Sequence, residues 1–391
     1  MIFDSLALAP MPQLQMGNGK ISLLADIVKS YGQTALLITG GKSFQSTKAY
    51  TELLDKFSSD RIIFHEFKVD SEPSPSIVDN IVGKTYLHRP DVIIGIGGGS
   101  VLDAAKAISA MLPLNEPVKT YLEGVGTKSS HPGFKVPFIA VPTTSGTGSE
   151  TTRNAVLSEV GEQGYKRSLR HMNFVSNVTI LDPQLMINCP PAITASSGMD
   201  AFTQLLESLL STVATPLTDS IALKGLSYVA EMLPVAFKDP GNLNARAGMA
   251  LAAYLSGITL TNVGLGLVHA LAGMIGGYKN IPHGIICSAL MPAANKLTLS
   301  ILRQKAIWHP ALKKYTEAGK LFTNTKGKTD NYYADLLIDT IYRWNTDMKI
   351  PTLMSFGVTH DDIVRFAARA ENKNNPVPLN QEEIMKVLQD A

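Results

Sequence analysis

Residues 198–211, GMDAFTQLLESLLS, carry Asp200, Thr203, Gln204, Glu207 and Ser211 at helical spacing. On a helix these polar groups share one side, while Phe202, Leu205, Leu206 and Leu209 share the other. Such a stripe is either a solvated face, the reading that suits Ser211 and Glu207 best, or the wall of a polar site. A second reactive stretch is DVIIGIGGGSVLDAAKAISA (91–110). Its apolar run ends in Gly95, Gly97, Gly98 and Gly99, and a helix opens at about Ser100. Glycines let backbone N–H groups approach a ligand, and the helix N-terminus adds free donors and partial positive charge. That combination suits a pyrophosphate. It is not the usual GxGxxG dinucleotide fingerprint, and it lacks the GK[ST] ending of a Walker loop, so ATP chemistry is not indicated. VPTTSGTGSE (141–150) follows another apolar run and offers hydroxyls at Thr143, Thr144, Ser145, Thr147 and Ser149. Alone, each loop could be a plain turn; paired at one sheet edge they make two walls of a nucleotide crevice.

The elements that must position these groups change character along the chain. TALLIT (34–39), RIIFHEF (61–67), DVIIGI (91–96), VPFIAV (136–141) and VTILD (178–182) read as strands, with helical spacing between them. This predicts a parallel sheet covered on both faces, with the glycine loop after its third strand. Beyond about residue 190 the strand patterns end, and helical runs are punctuated at Pro216, Pro234, Pro240, Gly264, Gly266 and Pro282. The expected architecture is an α/β domain followed by an all-α domain. KGKTDNY (326–332) reads as an exposed loop.

Composition excludes several classes. The 391 residues are 45% hydrophobic and 17% charged, unlike a disordered chain, and the net charge of +2 comes with no basic cluster for nucleic acid. Cys189 and Cys287 stand far apart in no CxxC pattern, which argues against a disulfide framework and fits a reducing compartment. MIFDSLALAPMPQLQMGNGK shows no basic region before its short apolar stretch, and no uninterrupted apolar run of roughly 18–20 residues appears. A soluble, cytoplasmic protein with no membrane or nucleic-acid partner is the expectation.

With GGGSVLDAAK and PTTSGTGSE both present, the chain resembles the iron-containing alcohol dehydrogenase family. ILDP (180–183), SSGMDAFTQLLES (196–208), GLGLVHALAGMIGG (264–277), IPHGIICSALMP (281–292) and the closing LNQEEIMKVLQDA follow in the family's order, so the likeness spans essentially the whole chain. It implies an α/β fold class of the dehydroquinate synthase-like type. A dinucleotide-binding domain would occupy residues 1–185 and an all-helical metal and substrate domain 186–391, with the site in the cleft between them. The activity implied is reversible NAD(P)-dependent oxidation of an alcohol to an aldehyde or ketone, by a homodimer or higher homo-oligomer.

The resemblance also assigns residues. Pyrophosphate would lie on Gly97, Gly98, Gly99 and Ser100, with Asp103 and Lys106 in the same signature, though either could be an ordinary helix-face residue. Thr143, Thr144 and Thr147 would line the nicotinamide. Asn154, Lys166, Leu181 and Ser74 fall where relatives contact the substrate side, ribose, adenine and adenosine side respectively. Many NAD-using relatives carry an aspartate after the first strand, which binds ribose hydroxyls and repels a 2′-phosphate. Here ITGGKSF supplies Gly40, Gly41, Lys42 and Ser43 instead, which favours NADP without excluding NAD.

The family's metal ligands are an aspartate, a histidine four residues later, and two further histidines. This chain supplies Asp200, His269 and His283 but has Gln204 at the second position, and Gly273 where many relatives carry another histidine. Gln204 is a weaker ligand than imidazole for Fe(II) or Zn(II). Asp200, His269 and His283 alone resemble the zinc site of glycerol dehydrogenases, whereas a metal-free site would resemble maleylacetate reductases. A dehydroquinate-synthase-like lyase needs a basic pocket, and VHALAGMIGG offers no lysine or arginine. A non-catalytic dinucleotide-binding relative is the remaining alternative.

Overall fold

The computed structural model describes residues 7–128 and 130–391; the first six residues of the N-terminal stretch read above for a leader lie outside them. Among the described residues, six strands form one parallel sheet: β1 (Gln13–Met16), β2 (Thr34–Thr39), β3 (Ile63–Lys68), β4 (Val92–Gly97), β5 (Phe138–Pro142) and, after a separate hairpin of β6 (Asn154–Glu159) and β7 (Tyr165–Arg170), β8 (Val178–Leu181). The order β1-β8-β5-β4-β2-β3 places β2 between β3 and β4. The chain therefore runs outward from β2 to β3 and then returns to β4 on the other side. That reversal is the topological switch point of an open α/β sheet, where ligands bind beyond the strands' carboxyl ends.

Alternation along the strands explains the cover on both faces. Leu37, Ile94, Ile96, Ile139 and Val141 pack with Leu24 and Val28 of α1 (Leu24–Lys29) and Phe57 of α2 (Lys48–Ser59). On the opposite face α4 (Gly99–Met111) covers the sheet, with its Ala105 and Leu102 pressed against Gly95, and α3 (Pro75–Thr85) packs on α4. Three strands escaped the sequence pattern: β1, which makes the glycine loop follow the fourth strand and not the third, and the β6–β7 hairpin.

From Pro191 onward the regular elements are helical: α5 (Pro191–Leu210), α6 (Pro216–Lys238), α7 (Leu243–Val263), α8 (Leu267–Tyr278), α9 (His283–Lys305), α10 (Pro310–Lys320), α11 (Asp330–Asp347), α12 (His360–Arg369) and α13 (Gln381–Gln389). The segment 326–332 is only partly loop, because α11 starts at Asp330, capped by the Thr329 hydroxyl. One apolar core joins α5 to α6, α7, α8, α9 and the later helices. The α7–α8 junction bends by 98° at Gly264, whose φ of +65° suits glycine.

By length and composition alone α6 and α9 could each cross a membrane, as could the bent α7–α8 pair. A search for uninterrupted apolar runs passes over both single helices, since Asp219, Lys224 and Glu231 interrupt α6 and Lys296 interrupts α9. Most of α9's apolar surface is buried within its own unit.

Two compact units emerge. The first holds residues 1–143, 148–158 and 167–186, and the second holds 144–147, 159–166 and 187–391. The simple division at 185/186 thus misplaces two short pieces, including Thr144, Thr147 and Lys166.

Candidate active site

In the first unit the two expected loops do meet. Gly97 pairs with Pro142, and the Thr143 N–H donates to the Gly97 carbonyl at 2.9 Å. A Cβ on Gly97 would lie 2.6 Å from Val101, so only glycine permits this tight entry into α4. Gly98 precedes Gly99 and Ser100 at the start of α4 and contributes no side-chain cap. First-turn N–H groups without a side-chain cap form an anion site. Gly40, Gly41 and Ser43 follow β2 on the other side of the switch point, and a Cβ on Gly40 would meet only Val101, at 3.7 Å.

Other candidates have structural work. Asp103 accepts hydrogen bonds from the Ser149 hydroxyl and, at 3.2 Å, from Val156 N–H. Lys106 is fully buried and donates to the Ser149 and Asn154 carbonyls at 2.6 and 2.8 Å and to the Thr152 hydroxyl at 2.7 Å. Burial pulls its pKa down to about 8 against the pull of Asp103 and Glu150. Ser74 caps α3 by accepting from Ile77 N–H, and the Asn154 amide donates to Ser168. Leu181 is buried at the end of β8 beside Met16. Lys166 lies in the second unit, its Cδ 3.5 Å from where a Cβ on Gly276 would sit.

The second unit brings distant polar residues together. Asp200 Oδ1 lies 3.2 Å from His269 Nε2 and 3.9 Å from His283 Nε2. Asp200 comes from the middle of α5, His269 from the first turn of α8 and His283 from the start of α9. One ligand atom from each, together with Cys287 Sγ, falls within a group no wider than 4.8 Å. Asp200, His269 and Cys287 are buried, and His283 is half-buried.

The polar stripe on α5 is not solvated: Glu207 is 5% exposed and Ser211 4%. Glu207 Oε2 accepts a hydrogen bond from His269 Nδ1–H at 2.7 Å, while Oε1 accepts from Val268 N–H at 2.7 Å. The carboxylate therefore caps α8 and fixes the ring's tautomer, leaving Nε2 aimed at Asp200. Burial alone would lower the His269 pKa, but Cys287, Asp200 and Glu207 around the ring raise it well above the ordinary value. Burial likewise opposes the Asp200 charge, but His269 and His283 outweigh it and hold that carboxyl below its usual range. Burial pushes the Cys287 thiol up to about 12, so it ionises only beside a cation.

Gln204 departs from the ligand role expected of it. Its amide donates to Asp200 Oδ2 at 3.3 Å, and its Oε1 lies 2.7 Å from the Ser256 hydroxyl, which donates to it. An ionised carboxylate only accepts, so the NH₂ must face Asp200 and the oxygen turns away. Gln204 braces the aspartate instead of presenting a ligand atom.

Two family models match in sequence, iron-containing alcohol dehydrogenase over residues 12–183 and the C-terminal domain of the Fe-containing alcohol dehydrogenase family over 194–391. The chain belongs to the iron-containing alcohol dehydrogenase family. It is 30% identical to alcohol dehydrogenase 4 of Saccharomyces cerevisiae over 96% of this chain and 95% of that one. It is 29% identical to an NAD-dependent methanol dehydrogenase of Bacillus methanolicus, over 97% and 98%. A solved 1,3-propanediol oxidoreductase superposes with a TM-score of 0.86 at 28% identity, covering 97% of this chain and 98% of the other. The protein is thus an alcohol dehydrogenase, an oxidoreductase of this iron-containing family.

Within this alcohol dehydrogenase, sequence reasoning missed Cys287, Glu207's inward role and Ser256. For Cys287 a signal existed, since it lies one helical turn after His283, at i,i+4 on α9. Two histidines outside this group serve structure: His309 caps α10, and His131 is buried against the Ala110 carbonyl and Gly133 N–H. Among the apolar residues of α5 and α8, Phe202 stacks on Phe322 in the core and Ile275 is fully buried, while Met274 and Tyr278 are only partly buried.

Proposed function

We propose that this alcohol dehydrogenase uses NAD(P) and a divalent metal to interconvert a small alcohol with its aldehyde or ketone. The observation that carries the reading is the convergence of Asp200, His269 and His283 from three helices, with Glu207 setting the ring that faces the aspartate. The donor set fits a borderline divalent ion, since a carboxylate and two neutral imidazoles suit zinc or iron(II). When bound, the metal supplies Lewis acidity that polarises the alcohol or carbonyl oxygen, and the nicotinamide accepts or returns the hydride.

The chain's own residues do the rest. Asp200 brings the anionic donor, braced by Gln204 so that one oxygen stays aimed at the histidines. Glu207 accepts from His269 Nδ1–H, so that Nε2 is the nitrogen left to face a metal. Gly273, one turn after His269, has no side chain to relay a proton, and a Cβ there would meet nothing within 4 Å, so protons leave through water, a cofactor ribose hydroxyl or another residue. The glycine turn into α4 receives pyrophosphate, and the acid-free turn Gly40–Ser43 with Lys42 favours NADP.

Enzyme purified without chelator and assayed with NAD and NADP over alcohols and aldehydes should carry stoichiometric metal, lose turnover on chelation and regain it with added Zn(II) or Fe(II). Full activity at substoichiometric metal would favour the metal-independent reductase to which Gln204 points. Because a Cβ on Gly40 would make only an ordinary contact with Val101, Gly40→Asp should fold normally and raise the KM for NADP over that for NAD. An unchanged NADP KM would remove the basis for that preference.

A further inference from the structure

Cys287 has no assigned part in the chemistry, yet it is buried and its Sγ lies 3.6 Å from both His269 Nε2 and His283 Nε2. A buried cysteine that only packs sits among apolar side chains. Here the sulfur instead faces two imidazole nitrogens and belongs to the cluster that includes the Asp200 carboxylate. One thiol proton reaches only one of the two nitrogens, and the other contact then needs a protonated imidazole, whereas a cation at the common centre serves all four groups at once.

Three of the separations match such a centre, within a group no wider than 4.8 Å. Tetrahedral zinc with bonds of about 2.0–2.2 Å to nitrogen or oxygen and about 2.3 Å to sulfur has N–O edges of about 3.3–3.5 Å and S–N edges of about 3.5–3.6 Å. The two S–N separations are 3.6 Å and the Asp200–His269 separation is 3.2 Å; the Asp200–His283 edge is wider, at 3.9 Å. Meanwhile Gln204, at the position that would otherwise give a further donor, has turned its oxygen to Ser256.

Building on the metal-assisted reading, we infer that Cys287, as thiolate, is the fourth protein ligand of the divalent metal centre, makes good the donor that Gln204 withholds, and leaves a fifth position open to substrate. His283 and Cys287 then grip the ion from successive turns of α9, Asp200 and His269 from α5 and α8. A thiolate softens the donor set, which favours zinc over iron(II).

Cobalt(II) bound to the intact metal-depleted enzyme tests this without reference to turnover. The wild type and a Cys189→Ser control should both show a near-ultraviolet thiolate-to-cobalt charge-transfer band. Cys287→Ser should lose it, and Cys287→His should keep cobalt without it. Cys189 is the chain's other cysteine, so the control excludes it as the source. A wild-type cobalt protein lacking the band, or a band that survives in Cys287→Ser, would overturn the assignment of Cys287 while leaving a metal site intact. A wild type that binds no cobalt would overturn both the assignment and the metal reading beneath it. Because the decisive band is read in the wild type, poor folding of a variant does not shield the inference.

Discussion

Glu207→Ala should weaken metal binding about 10–100-fold, the usual effect of removing a carboxylate that orients a ligating histidine. It should also destabilise the fold. The carboxylate satisfies two buried donors, His269 Nδ1–H and Val268 N–H, and each one stranded costs about 1–3 kcal/mol. Glu207→Gln should be milder, since an amide oxygen can still accept from one of the two. A metal titration followed by chemical denaturation of both variants checks this. Wild-type metal affinity in Glu207→Ala would show that the His269 ring is held by something else.

Lys106→Met should destabilise the protein by about 3–5 kcal/mol, the range for removing one member of a buried charged network. Lys106 holds the Ser149 and Asn154 carbonyls and the Thr152 hydroxyl, so it ties the segment after the threonine-rich loop back onto α4. The pH dependence has a definite sign. The Lys106 pKa falls to about 8 in the folded protein from 10.5 unfolded, so between those values the unfolded chain binds more protons and this lysine's contribution rises with pH. The wild type should gain roughly 3 kcal/mol on Lys106→Met between pH 8 and 10.5, by about 1.4 kcal/mol per pKa unit. Unfolding curves across that interval measure it. A wild-type advantage that shrinks as pH rises would contradict the burial that lowers this lysine's pKa.

These predictions rest on features with uneven visibility in sequence. The central strands were legible because they are buried on both faces and read as unbroken apolar runs, as in TALLIT and DVIIGI. QLQM of β1 is short and largely polar, and YKRSLR of β7 is charged, so neither carries an apolar period to detect. The two glycine and threonine loops were legible because their chemistry is local. Glu207 was not: its partners Val268 and His269 lie more than sixty positions along the chain, and a carboxylate on a helix looks alike whether water or an imidazole receives it. Gln204 was singled out for its residue type, but its orientation depends on Ser256, 52 positions away on α7. Cys287 was within reach, since His283 and Cys287 share a helix face, but an isolated cysteine draws attention only when its neighbours in space are known.

The units' interleaving bears on how this chain can be taken apart. Segments alternate between them, so the polypeptide passes from one to the other five times before residue 187, although the two family models divide it just once, between 183 and 194. A chimera that exchanged residues 187–391 with a relative's would keep 144–147 and 159–166 from the original parent. Recombination within this family therefore has to carry those two short pieces with the helical half, and a truncated C-terminal fragment is an incomplete folding unit.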